Sequence, residues 1–228
     1  HSLTEAGQRF FERATIALEE IEAAQAAARG EAAALSGRLR SSAPPAYTDQ
    51  IIIPRLARFL DAHKGITLDL LLDDRRVDLV EEGVDLAIRT GDLGDSNLVA
   101  RRIDRARSML VATPSYLEDA KALIHPSQLA EHHIISHRAF DNRAAWRFER
   151  DNTIHEITVE PRIWSNSAEG VRASVLAGLG VGMVTDRMMG EALGQGSVIQ
   201  ILSDWDLPAF DVWVLFHQGR RVRQRARL

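Results

Sequence analysis

The sequence predicts an α/β protein: two Rossmann-like lobes around a central cleft, preceded by a long N-terminal helix. Three observations carry that reading. Residues 4–34 are rich in alanine, glutamate and arginine with apolar residues at helical spacing, strands and helices alternate after Gly37, and a second run of the same alternation begins near Met109.

Residues 4–34 contain no proline, and glycine only at Gly7 and Gly30, which is the composition of a long helix with Thr4 as its N-cap. Phe10, Ala14, Ala17, Ile21, Ala24 and Ala28 recur in steps of four and three and form one stripe suited to a second helix. The opposite face, with Arg13, Glu20 and Ala27, is polar or small. A helix-to-helix dimer contact is therefore expected, with a helix folded back on its own domain as the alternative.

Next, residues 39–43 read as a strand, 47–62 as an amphipathic helix carrying Ile51, Ile52, Leu56 and Phe59, and 66–72 as a second strand. Residues 77–82 read as a short helix closed by Gly83, and 85–89 as a third strand running into Thr90-Gly91. This βαβαβ order calls for a parallel sheet with helices on both faces and ligands at the carboxyl ends of its strands. The polar stretch 91–107 reads as a connection into the apolar strand 109–112, and Pro114 starts another helix. Strands at 133–137, 163–166, 182–185, 198–202 and 212–217, with helices at 169–177 and 187–193, complete the series. The expected division is a linker and dimerisation helix at 1–36 and an α/β domain at 37–228. Its first lobe takes about 37–112 and 214–228, and its second about 113–213.

At 228 residues, 45% hydrophobic and 26% charged, the chain can bury one large core or two small ones. A formal net charge of −4 gives no global attraction to a polyanion, so DNA contact by bulk charge is not expected. The absence of cysteine excludes disulfides, thiolate metal sites and cysteine nucleophiles, and fits a reducing cytoplasm. The opening His-Ser-Leu-Thr-Glu-Ala-Gly has no signal-peptide pattern, and no apolar run approaches the roughly 18 residues that span a bilayer. A cytoplasmic protein with no membrane partner is expected. A start at His1 and not at an initiator methionine reads as a piece of a longer protein, with His1-Ser2 either native or a tag scar.

Several segments are similar to one known family. Leu3-Thr4-Glu5-Ala6-Gly7 before a long helix resembles the point in LysR-type transcriptional regulators where the winged helix-turn-helix ends and the linker helix begins. Arg38-Leu39-Arg40-Ser41-Ser42-Ala43-Pro44 resembles the first strand of that family's sensing domain, and Ile53-Pro54-Arg55-Leu56-Ala57-Arg58-Phe59-Leu60 the helix after it. The strongest match is Asp78-Leu79-Val80-Glu81-Glu82-Gly83-Val84-Asp85-Leu86-Ala87-Ile88-Arg89-Thr90-Gly91, followed in order by Leu98-Val99-Ala100-Arg101-Arg102 and Thr113-Pro114-Ser115-Tyr116-Leu117. Ser165-Asn166-Ser167 and Val175-Leu176-Ala177-Gly178-Leu179-Gly180-Val181-Gly182-Met183-Val184 match its second lobe.

The resemblance covers essentially the whole chain. It implies a fold like the type II periplasmic binding proteins and a regulator without catalytic activity or cofactor. It also implies a homodimer or tetramer that meets promoter DNA through an N-terminal domain missing from this sequence. A small organic effector in the cleft would shift the relation between lobes, which requires different affinities for two states.

Candidate effector contacts sit at strand ends. Ser42, with Ala43-Pro44-Pro45, stands where a strand hands over to a helix, where it can meet a ligand carboxylate or simply cap a turn. Pro44 and Pro45 remove amide donors there. Arg89-Thr90-Gly91 closes the apolar strand Leu86-Ala87-Ile88 with a guanidinium, suited to a carboxylate effector or to a salt bridge with Asp73, Asp74 or Asp92. From the second lobe, Ser136-His137 and Asn166-Ser167 end two strands, and His217 ends the strand returning to the first lobe.

Other patterns are lookalikes. Gly178-x-Gly180-x-Gly182 follows a helix and precedes a strand, the reverse of a dinucleotide loop, and reads as a helix C-cap with a tight turn. His132, His133 and His137 read as strand residues rather than a metal cluster, because His132 would point away from the other two. Arg220, Arg221, Arg223, Arg225 and Arg227 read as the solvated face of a helix carrying Val222 and Ala226. The main rival function is a solute-binding protein of a transport system with the same fold. The second is an enzyme using His137 or His217 as base, though no nucleophile, metal set or cofactor loop accompanies either histidine.

Overall fold

In a computed structural model of the chain, the described residues are 36–75, 79, 82–93, 98–138 and 144–217, with 4, 6, 7, 10, 13, 14, 17 and 21 near the N-terminus. Of the latter, residues 6, 7, 10, 13, 14, 17 and 21 are helical. Phe10 is 75% and Ile21 54% exposed. Ala24 and the arginine-rich terminus lie outside the described residues.

The first half of the sheet begins with β1 (Ser36–Ala43), continues through the helical turn α1 (Pro45–Tyr47), and after a π-helical turn (Thr48–Ile52) enters α2 (Ile53–Ala62). Pro45 starts α1 at a position where no amide donor is needed. The expected single helix over 47–62 is interrupted by that π turn. Pro54 lies just beyond it, and the wider turn relieves the clash of its ring with the carbonyl four residues back. β2 (Gly65–Leu72) and β3 (Leu86–Thr90) follow. The expected short helix over 77–82 lies largely outside the described residues; Gly83 has φ 62°, and across it Val84 N–H donates to the Leu79 carbonyl at 2.8 Å.

β4 (Leu98–Ala112) runs for 15 residues, so the stretch expected to be a connection is largely strand. Arg101, Arg102, Arg105 and Arg107 are exposed along it while Ala106 and Ser108 are buried. A strand with one solvated face made of arginines has the composition of a loop, which is why its polarity misled. The pairing with β11 (Ala209–His217) shifts register between Val212 and Trp213, leaving Ile103 as a bulge.

The second half adds α3 (Pro114–Asp119), a 3-10 turn (Pro126–Glu131), β5 (Ile134–His137), β6 (Ala144–Arg150), β7 (Thr153–Val159) and β8 (Pro161–Ser165). Then come α4 (Ala168–Leu176), β9 (Val181–Thr185), α5 (Asp186–Gly194) and β10 (Ile199–Ile201). The β6–β7 hairpin was not anticipated. Its two-residue turn, Asp151 and Asn152, has φ 51° and 59°, the left-handed pair that a tight hairpin requires. It drives Trp146 and the fully buried Phe148 into a core shared with Leu110, Leu129, Ile134 and Trp205.

The sheet order is β2-β1-β3-β11-β4-β9-β5-β8, with β10 paired to β4. The expected parallel sheet is in fact mixed. β1 is parallel to β2 and β3, and β5 to β8 and β9, but β11 is antiparallel to β3 and β4, and β4 is antiparallel to β9 and β10. The reason is topological: β11 returns from the second half and slots between β3 and β4 from the opposite end. A second core under α4 and α5 joins Val111, Ile135, Val171, Val175, Val184, Met188 and Met189, and it includes Ala46 from α1.

Candidate functional site

The registers fix where the strand ends meet. In the first half, β1, β2 and β3 end together at Ala43, Leu72 and Thr90, near the part of β4 around Arg105 and Arg107. In the second half, β9 pairs Thr185 with Ser108 of the same β4, and β5 and β8 run parallel to β9 toward their ends at His137 and Ser165. The carboxyl edges of the two halves therefore face one another across the middle of β4, and α1, α4 and α5 all begin at this line. Open α/β sheets hold ligands at such facing carboxyl edges.

On the first rim, Ser42 and Arg89 come together. Ser42 is fully buried, and the 8%-exposed Arg89 donates from Nη2 to Ser42 Oγ at 3.1 Å and from Nη1 to the Ile88 carbonyl at 2.9 Å. Arg75 holds the Asp73 carboxyl below its ordinary value by hydrogen bonds from its side chain and amide, with a smaller contribution from the Arg89 charge. Pro44 is buried beside Ser42, and Thr90 is exposed. Gly91 has φ 83°, which favours glycine; its N–H donates to the Asp211 carbonyl at 2.9 Å, and its carbonyl accepts from Trp213 Nε1 at 3.1 Å. It closes β3 against β11.

On the second rim, Ser136 is buried opposite Trp164, and His137 is exposed opposite Ser165. Asn166 is exposed, and Ser167 is the N-cap of α4 without a side-chain capping bond. Ser165 instead organises this corner, accepting from Ser167 N–H at 3.1 Å and donating to the Ser167 carbonyl at 2.8 Å. The backbone of His217 pairs with Leu98, whereas Arg89 lies opposite Trp213. His217 is thus at the far end of β11, and the fold does not bring it to the other candidates.

Three polar residues that sequence reasoning did not single out tie the halves together. Tyr47 of α1 donates its hydroxyl to Asp104 of β4 at 3.2 Å, and Arg187 of α5 donates to the other carboxylate oxygen at 2.8 Å. Burial, followed by the Asp104 charge and hydrogen bond, pushes the Tyr47 phenol up to about 12. Burial also pushes the Asp104 carboxyl upward, but Arg187, the Arg105 amide and Tyr47 outweigh it and hold the group below its ordinary value. These partners lie 57 and 83 residues apart in sequence, and no local pattern links them.

The histidines make no metal cluster: among the described residues there is no group of three or more metal-ligating side chains. His132 is buried, its ring Nδ1 lies 3.3 Å from the Tyr116 hydroxyl, and burial lowers its pKa below the ordinary imidazole value. Gly178 does end α4. It has φ 72°, and its N–H and that of Leu179 donate to Val175 and Ser174 carbonyls at 2.9 and 3.2 Å. No helix among the described residues is long and apolar enough to cross a membrane.

A mixed, curled sheet whose two halves turn their carboxyl edges toward one another belongs to the class of two-lobed ligand-binding domains of type II periplasmic-binding-protein form. Residues 32–228 match the LysR substrate binding domain, and the chain belongs to the LysR family of transcriptional regulators. It is 31% identical over 229 residues to an HTH-type transcriptional regulator of Xanthomonas campestris pv. campestris, covering 99% of this chain and 67% of that protein. It is 29% identical over 226 residues to the HTH-type transcriptional regulator PtxR of Pseudomonas aeruginosa, covering 99% of this chain and 72% of the relative. Among solved structures, full-length AphB, a Vibrio cholerae virulence activator and LTTR member, superposes with a TM-score of 0.75 at 27% identity, over 99% of this chain and 77% of that one. Full-length CrgA from Neisseria meningitidis shares the fold with a TM-score of 0.78 at 24% identity.

The chain is the effector-binding part of a LysR-type transcriptional regulator. The relatives are regulators, which sets aside both the solute-binding and the enzyme readings. Members of the family act as oligomers on promoter DNA.

Proposed function

We propose that the cleft between the facing carboxyl edges senses a small organic carboxylate and that Arg89 is its main anchor. The carrying observation is the buried Arg89 guanidinium beside Ser42 on the first rim. A guanidinium presents paired donors in a planar fork that matches a carboxylate. Pro44, Thr90 and Gly91 line the same rim, and Ser136, His137, Asn166 and Ser167 supply polar contacts from the opposite one. A ligand touching both rims binds one lobe arrangement better than another, and so shifts the population of the regulator's states.

The division that goes with this reading is a dimerisation helix at 1–36 and an effector domain at 37–228. Its first lobe takes about 37–112 with 214–228, and its second about 113–213. Phe10, Ala14, Ala17, Ile21 and Ala24 would form the helix seam of a homodimer or tetramer in the cytoplasm, with promoter DNA held by the N-terminal domain. The exposure of Phe10 and Ile21 supports that seam. A thermal-shift screen with small carboxylates, each paired with its methyl ester, tests the ligand class. A saturable rise with an acid and none with its ester is the expected result, and equal responses to acid and ester would remove the carboxylate assignment.

A further inference from the structure

Besides the Tyr47, Asp104 and Arg187 cluster, one carboxylate of the first rim reaches the backbone of the second. After β2 the chain turns sharply at Asp73, whose amide donates to the Ala43 carbonyl at 3.1 Å. The Asp73 side chain accepts from Arg75 N–H at 2.8 Å and from Arg75 Nη2 at 2.7 Å. This side chain-to-backbone turn fixes the residue between them. Asp74 Oδ2 then accepts from the backbone N–H of Ala168 at 3.0 Å, a partly buried bond between residues 94 apart in sequence.

Ala168 is the first residue of α4, and the side chain of its own N-cap, Ser167, makes no capping bond. The opening amides of a helix have no partner within the helix and carry partial positive charge, so a carboxylate stabilises them. Here it comes from the opposite rim. The start of α4 lies close against Ser165, since a Cβ on Gly170 would approach the Ser165 Oγ to 2.3 Å.

From this geometry we infer that Asp74 is a latch across the effector cleft: its bond to Ala168 holds the rims together, and breaking it is a required step in opening. The latch sets the ratio of closed to open forms, and with it the apparent effector affinity, which falls in proportion to the fraction of binding-competent protein. The inference rests on reading the cleft as the effector site, but its test needs no effector.

The chain has no cysteine, so a pair introduced as Thr67→Cys on β2 and Glu160→Cys beside β8 accepts spin labels cleanly. Both positions are exposed. Pulsed electron–electron distance measurements on the otherwise native chain should give one narrow distribution. Asp74→Ala should add a separate longer distance, raising the open-to-closed ratio by about tenfold, the usual effect of removing a carboxylate cap. Asp74→Asn, which keeps an acceptor oxygen without the charge, should fall between the two and provides the readout if the alanine variant does not fold. Distances in both variants that match the native distribution would overturn the latch, whatever the ligand screen finds. A latch confirmed alongside a failed carboxylate screen would leave the inference standing and remove only the ligand class.

Discussion

Replacing Arg89 with alanine separates a ligand anchor from a structural ion partner. The side chain is 8% exposed and bonds Ser42 Oγ at 3.1 Å and the Ile88 carbonyl at 2.9 Å. Its loss takes a charged donor from a fully buried hydroxyl, which costs about 1–3 kcal/mol and, for a chain of this size, lowers Tm by about 2–12 °C. If the guanidinium also meets a ligand carboxylate, losing those charge-assisted bonds weakens binding by about 10- to 100-fold. Arg89→Lys keeps the charge but not the planar fork, so it should recover part of the stability and little of the affinity. Scanning calorimetry reads the first effect, and isothermal titration with the carboxylate that most stabilises the native chain reads the second. If both variants lose stability yet bind that carboxylate with native affinity, Arg89 is a structural residue and the anchor assignment fails.

Tyr47→Phe should change how stability depends on alkaline pH. Because the folded phenol titrates at about 12 and a free one near 10, the native contribution is complete below about pH 10 and is lost as pH rises through the folded value. Urea titrations across that window should show a steeper loss for the native chain than for the variant, and parallel curves would contradict the Asp104 pairing. Gly180→Ala places a Cβ 2.1 Å from the His133 carbonyl oxygen at a φ of 155°, so at least about 2 kcal/mol of destabilisation is expected by denaturant unfolding. A midpoint within error of native would mean that the close approach of this turn to His133 is readily relaxed. Phe148→Ala should cost about 3–5 kcal/mol if the hairpin is part of the second core, against little change if it is a loose surface flap.

Much of this organisation was legible in the residues. The strands ending at Ala43, Leu72 and Thr90 and the helices α4 and α5 lie within a few residues of their expected positions, because apolar periodicity and glycine stops dominate there. Ser42 and Arg89 were singled out as strand ends at a cleft edge, and the fold places them in contact. What escaped has identifiable causes. The first part of β4 hid behind arginines that face solvent, and β6 and β7 hid because a short Asp151-Asn152 turn between half-polar strands reads as loop. Sheet direction was misjudged because local alternation says nothing of a distant strand inserting between β3 and β4. The Tyr47, Asp104 and Arg187 cluster and the Asp74 contact join residues dozens of positions apart, and only the folded chain pairs them.

The central claim is that one ligand engages both rims of the cleft together, and amide hydrogen exchange followed by mass spectrometry tests it most directly. With a saturating carboxylate from the screen, slowed exchange is expected around Ser42 and Arg89 and, at the same ligand concentration, around Ser136 and Ser167. Slowing confined to one rim, or located away from both, would contradict the claim.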